Sequence, residues 1–230
     1  MAFNLTDVVP WGRTFAEYTA MFALSESDLK GSIVGCGDGP ASFNTEARER
    51  GHHVLSTDPI YKFSAREIQI RIDATAPVIA EQMRKNQGEF VWDHFRDVDA
   101  LVEARMKAMG LFLADYPTGT QEGRYVEASL PALPFQGKQF DLALCSHFLF
   151  LYSQQNSLDF HIEAISELCR VSKEVRIFPL MELGSVPSRH LDEVIDRLRR
   201  AGQAVERVTV AYEFQKGANE MLRIVPTGRT

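Results

Sequence analysis

The stretch Ser32-Ile33-Val34-Gly35-Cys36-Gly37-Asp38-Gly39-Pro40 decides how this chain is read. Ser32–Val34 has strand character and stops at three glycines on alternate positions, Gly35, Gly37 and Gly39. The first glycine permits a tight turn out of the strand. The others let backbone pass close to a ligand with no Cβ in the way. Pro40 suits the first turn of a helix, where its missing N–H costs nothing. That helix is expected to run to Arg50, with Gly51 as its stop signal. His53–Thr57 then reads as a second strand ending at Asp58-Pro59. Strand, glycine turn, helix and strand at this spacing imply a parallel pair with a right-handed crossover. The free N–H groups and positive end of the helix favour a nucleotide-like ligand over the turn. Asp58, nineteen residues after Gly39, stands where a carboxylate can accept both ribose hydroxyl protons. Its other reading is plain turn chemistry before Pro59.

Working outward, residues 14–24 place Phe15, Tyr18, Met21 and Phe22 at helical spacing, so a helix is expected before the first strand. After Asp58 the rhythm breaks. Segment 61–124 is too long for one crossover and reads as mostly helical. Ile68, Ile72, Ile79 and Met83 form a stripe, with one helix expected to end at Pro77 and another to begin. A second stripe runs from Val98 to Tyr116 with only Arg105 off pattern, and Pro117-Thr118-Gly119 is expected to close it. Strands are expected again at Arg124–Ala128, Phe140–Cys145 and Glu174–Phe178, with helices at Leu158–Cys169 and His190–Ala201. Val205–Phe214 and Met221–Val225 read as a closing antiparallel pair. The whole, 1–230, is read as one domain, with an N-terminal helical segment over 1–30 and a helical insertion over 61–124. The fold class is α/β, with a Rossmann-like, doubly wound, mostly parallel seven-stranded sheet.

A dinucleotide fingerprint wants its third glycine at position 40, which is Pro40, so a nicotinamide-dependent oxidoreductase is disfavoured. Three runs instead carry a resemblance. They are Ile33-Val34-Gly35-Cys36-Gly37-Asp38-Gly39, Val54-Leu55-Ser56-Thr57-Asp58, and Leu133-Pro134-Phe135 through Phe140-Asp141-Leu142-Ala143-Leu144-Cys145. In this order and spacing the chain resembles the class I S-adenosylmethionine-dependent methyltransferases. The resemblance implies S-adenosylmethionine as cofactor, held by Gly35, Cys36, Gly37 and Gly39, with Asp58 on the ribose hydroxyls. It further implies Ser129 and Leu130 beside the adenine, and Cys145, Ser146 and His147 bordering cofactor and substrate. Two positions depart from the family: Ile33 stands where many members have an acid, and Ser129 where many have Asp.

His147 follows a strand end, where ligands of open parallel sheets bind, and is read either as a general base or as a packed histidine near Phe148 and Phe150. Arg13 lies upstream of the glycine loop and is read either as reaching the cofactor carboxylate or as a surface arginine. Cys145 is read either as a nucleophile or as a small buried strand residue, and Cys36 as a filler in the glycine loop. Asp159, His161 and Glu163 read as a solvated helix face. Trp92-Asp93-His94 has no metal-ligand spacing, and no metal site is expected.

Composition narrows the function classes. With 25 Lys and Arg against 31 Asp and Glu the net charge is −6, which lacks the basic footprint of a nucleic-acid binder. No apolar run reaches the ~20 residues of a membrane helix, and residues 1–7 lack the pattern of an export signal. Three cysteines without a CxxC pair suggest neither a disulfide framework nor zinc, so a cytoplasmic setting is expected. No Asp/Asn-Pro-Pro-Tyr or Pro-Cys motif follows the fourth strand, so a small-molecule acceptor is expected rather than a base or a glutamine amide. A non-catalytic module keeping the cofactor pocket is the second hypothesis. Oligomeric state is not legible.

Overall fold

The structure, a computed structural model, describes residues 9–227. The part of the N-terminal helical expectation over 1–8 therefore lies outside the described residues. Thr14 starts helix α1 (Phe15–Met21) with a reciprocal cap: its hydroxyl accepts from the Glu17 N–H, and Glu17 accepts from the Thr14 N–H. A one-turn helix α2 (Glu26–Leu29) leads into strand β1 (Ser32–Cys36), which helix α3 (Phe43–Glu49) joins to strand β2 (His53–Thr57). Pro40 lies in the turn before α3 rather than in its first turn, so the helix begins three residues later than its sequence signals imply. Helices α4 (Ala65–Lys85) and α5 (Val98–Gln121) fill the long connection to a two-residue strand, β3 (Tyr125–Val126). Then come β4 (Phe140–Ser146), α6 (Leu158–Val171), β5 (Ser172–Phe178), the short ribbon β6 (Met181–Glu182) and β7 (Val186–Pro187), α7 (Leu191–Arg200), β8 (Ala204–Thr209) and β9 (Glu220–Val225).

Seven strands form one sheet in the order β3-β2-β1-β4-β5-β9-β8. All neighbours are parallel as far as β5, and β9 runs antiparallel between β5 and β8. The chain order reverses between β1 and β4, and Cys36 there pairs with Cys145, so Gly37 and Ser146 emerge side by side at the carboxyl edge. β4 is buried along nearly its whole length, as a central parallel strand must be. At its other end Asp141 accepts from the N–H and hydroxyl of Ser32 and from Lys173, which locks the starts of β1, β4 and β5 together.

Both prolines expected to end helices lie inside them: α4 runs through Pro77 and α5 through Pro117. Each proline is exposed, so the carbonyl one turn back, at Asp73 for Pro77, can turn to water. Ile72, Ala76, Ile79, Ala80 and Met83 are all buried on one face of α4, and that burial outweighs the local preference to stop. The insertion packs on the sheet edge through a cluster of rings, Tyr61, Phe112, Tyr116 and Tyr125. His161, expected on a solvated face, points inward instead. It is fully buried, its Nδ1 bonding the Ser157 carbonyl at 2.8 Å and its ring lying against Phe150.

Candidate functional site

The glycine turn takes its shape from three local demands. Gly37 and Gly39 have φ of +74° and +54°, the left-handed region that glycine enters at no steric cost. Gly35 belongs to β1 itself rather than to the turn. A Cβ there would sit 1.9 Å from Oδ2 of Asp38, whose carboxylate folds back under the strand end. That carboxylate accepts from the Tyr18 hydroxyl at 2.9 Å and from the Ser56 hydroxyl at 2.6 Å. Burial pushes its pKa up to about 7.

Above the turn lies a cavity enclosing about 1010 Å³ of space free of atoms, its mouth included. One wall is the carboxyl edge of the sheet: Gly37, Asp38, Gly39, Asp58, Ser146 and His147. The opposite walls are apolar and aromatic. They come from α4 (Ile79, Met83), from the segment after α4 (Phe90), and from residues between β8 and β9 (Tyr212, Phe214). Trp11 and Tyr152 contribute further rings. The helical insertion thus reaches from the sheet edge over the glycine turn.

Charge within this wall is arranged unevenly. The Glu17 carboxylate accepts both terminal nitrogens of Arg105 at 2.5 Å and the Tyr212 hydroxyl at 3.1 Å, besides the cap of α1. These donors hold it near 2 although burial opposes them. Arg105, the one residue off the α5 stripe, is therefore an inward ion pair that ties α5 to α1. Arg13 has no such partner among the described residues. Among the described residues its side chain bonds only the Trp11 carbonyl, from Nη1 at 3.3 Å, and its buried Nε meets no acceptor. Ser42 fixes its backbone by donating its N–H to the Arg13 carbonyl at 3.0 Å. Burial and then nearby Arg105 lower the Arg13 pKa, although the Glu17 carboxylate works against them.

At the other end of the turn, Asp58 accepts from the Gly39 N–H at 2.9 Å and the Ile60 N–H at 2.8 Å. Turn chemistry thus uses one lone pair on each oxygen, and the rest of the carboxylate faces the cavity. His147 sits at φ +51°, a conformation few non-glycine residues adopt. Its N–H donates to the Phe178 carbonyl at 2.6 Å and its ring lies against Phe178. Burial, then Arg13 and Arg105, hold its pKa well below the usual histidine value, so the imidazole is neutral.

Six of the sequence candidates therefore meet in the cavity wall: Arg13, Gly37, Gly39, Asp58, Ser146 and His147. Cys36 and Cys145 are buried in their strands below it, and burial pushes the Cys145 thiol to about 12, which leaves no nucleophile. Ser129 and Leu130 stand apart from the cavity. Ser129 is exposed and bridges to Ala132, and Leu130 packs in the core below the sheet edge. Sequence reasoning missed Asp38, Tyr212 and Phe214 as wall residues. An acid inside a glycine turn was a usable signal for the first, whereas nothing local marks the other two. Among the described residues no group of three or more His, Cys, Asp or Glu is placed to hold a metal.

The strand order, the antiparallel penultimate strand and a cavity at the switch point define a Rossmann-like fold of the class I methyltransferase kind. The chain belongs to the family of the uncharacterised protein MJ0045 of Methanocaldococcus jannaschii, to which it is 33% identical over 222 residues, covering 96% of this chain and 97% of that one. No protein-family model matches the sequence. Among solved structures it is similar to magnesium protoporphyrin IX methyltransferase of Synechocystis with bound S-adenosylmethionine, at 12% identity and TM-score 0.45 over 88% of this chain and 73% of that one. It is likewise similar to a TehB-like S-adenosylmethionine-dependent methyltransferase of Corynebacterium glutamicum, at 14% identity and TM-score 0.47 over 92% and 87%.

Proposed function

We propose that this protein binds S-adenosylmethionine in the cavity over the glycine turn and transfers its methyl group to a small, mostly apolar acceptor. One observation carries the reading: a half-buried arginine that makes no ion pair among the described residues and a cavity-facing carboxylate flank a glycine turn at the switch point of the sheet. Arg13 would hold the methionine carboxylate, Asp58 the ribose hydroxyls, and Gly37 and Gly39 would let the ligand lie close to backbone. Ser129 and Leu130, the adenine contacts that the resemblance implies, are not among the residues that line this cavity.

When bound, the cofactor supplies an electrophilic methyl group on a sulfonium, so the protein need only align an acceptor and exclude water. Ile79, Met83, Phe90, Phe214 and Tyr212 provide a wall that excludes water and suits a flat apolar molecule. Neutral His147, facing the same space, can take a proton from an acceptor hydroxyl or amine. The insertion would then be a fixed substrate wall, since α4 supplies two of these side chains.

Calorimetric titration with S-adenosylmethionine, S-adenosylhomocysteine and NAD tests the reading. The first two should saturate a single site, and Arg13→Ala should weaken both about tenfold to a hundredfold. Tight binding of NAD alone would overturn it. A panel of small phenols and amines, assayed for methyl transfer, separates an enzyme from a binding module.

A further inference from the structure

Gly12 stands between two residues of the cavity wall, Trp11 and Arg13, where the chain passes very close to the exit of the glycine turn. A Cβ at Gly12 would lie 2.1 Å from the Pro40 carbonyl oxygen and 2.6 Å from its carbon. Both are backbone atoms, so no side chain can swing aside to relieve the clash. Gly12 does not share the left-handed backbone of Gly37 and Gly39. The close approach, and not an unusual φ, is what demands glycine here.

Bonds just beyond Gly12 hold the chain to this course. The Arg13 carbonyl accepts from the Ser42 N–H at 3.0 Å. The Phe15 N–H donates to Oε1 of Glu46 at 3.1 Å, and the Ser42 hydroxyl donates to the same oxygen at 2.7 Å. Residues 12–15 therefore run along the start of α3. Helix α1 has its own seat, because Phe15 and Tyr18 both stack on Phe43 of α3, with ring centroids 5.7 and 4.2 Å away. The approach at Gly12 instead fixes Arg13, a half-buried guanidinium in the same wall as Gly37 and Gly39 whose Nε meets no acceptor among the described residues.

We propose that Gly12 is a positioning residue for the cofactor: by letting the chain lie against the Pro40 carbonyl, it sets Arg13 where the carboxylate at the amino-acid end of the ligand would meet it. The inference rests on the cofactor reading of the cavity and adds to it a residue that touches no ligand. A side chain at position 12 would lift the segment off the turn and carry the guanidinium away from its anion, while the glycine turn and Asp58 kept their places.

Calorimetry on the full chain with two ligands tests this. S-adenosylhomocysteine has the amino-acid end, whereas methylthioadenosine keeps the adenosine and the sulfur and lacks that end. Gly12→Ala should weaken S-adenosylhomocysteine about tenfold or more and leave methylthioadenosine within about twofold. Combined with Arg13→Ala, the two losses should not add, because both act on one contact. Glu46→Ala removes the acceptor of the Phe15 N–H and leaves the glycine in place. It should show the same split more weakly, and it carries the test if Gly12→Ala does not fold. An equal loss of both ligands, an unchanged affinity for S-adenosylhomocysteine, or losses that add in the double variant would overturn the role of Gly12. A wild type that binds neither ligand contradicts the cofactor reading itself. A wild type that binds both, with Arg13→Ala separating them and Gly12→Ala not, contradicts the positioning role alone.

Discussion

Glu17 shows how much one side chain carries here. It caps α1, pairs with Arg105 and accepts from Tyr212, so it joins α1, α5 and the residues between β8 and β9. Replacing it by Gln leaves the Arg105 guanidinium buried without its charge partner, and the expected cost is about 3–5 kcal/mol in urea unfolding. Its pH signature has a definite sign. A carboxyl lowered from 4.5 to about 2 on folding stabilises above its unfolded value and loses that contribution as pH falls toward 2. Asp38 has the opposite sign. Raised to about 7, it binds its proton more tightly folded than unfolded, so its contribution is full below about pH 4 and lost as pH rises through 7. Urea midpoints measured between these limits should decline with pH in the wild type and decline less in Asp38→Asn. An equal slope in both proteins would show that another group titrates there.

At the scale of elements, the cavity is roofed by pieces that the sheet does not supply. The N-terminal segment before α1, helix α4 with the segment after it, and the residues between β8 and β9 all line it, and the last two pieces meet in the Phe90–Phe214 stack and the Trp92–Phe214 edge contact. Phe214→Ala should cost about 3–5 kcal/mol if this roof is packed as tightly as a core. Hydrogen exchange should then show the loss in α4 and the loop after it before the central strands. Pro77 is a separate case. It removes one backbone bond from an otherwise continuous helix, so Pro77→Ala is expected to raise the thermal midpoint, by a free energy of about 1–3 kcal/mol. A lower midpoint would mean that α4 depends on the proline for its seat over the cavity. Among the described residues no helix is long and apolar enough to cross a membrane.

At the scale of the molecule, the parallel half of the sheet was legible because its signals are local. The run from Ser32 to Asp58 holds strand, turn, helix and strand within one crossover, and β2 falls on the residues its pattern implies. The insertion was legible as helical but not in its joints, since a proline's effect depends on whether the freed carbonyl meets water, which only the fold decides. Arg13 could be singled out by its place upstream of the glycine turn, and His147 because it follows a strand end. Tyr212 and Phe214 could not, because the strand expected over Val205–Phe214 stops at Thr209 and both residues lie in the return to β9, where no local signal places them. The same limit applies to Ser129, whose place beside the cofactor came from resemblance and whose exposed position came from the loop it closes with Ala132. The most direct test of the cofactor cavity is the structure of the protein with S-adenosylhomocysteine bound. The expected complex has the amino-acid carboxylate on Arg13, the ribose hydroxyls on Asp58 and the sulfur facing the space beside His147. A ligand lying away from the glycine turn, with Arg13 and Asp58 untouched, would contradict it.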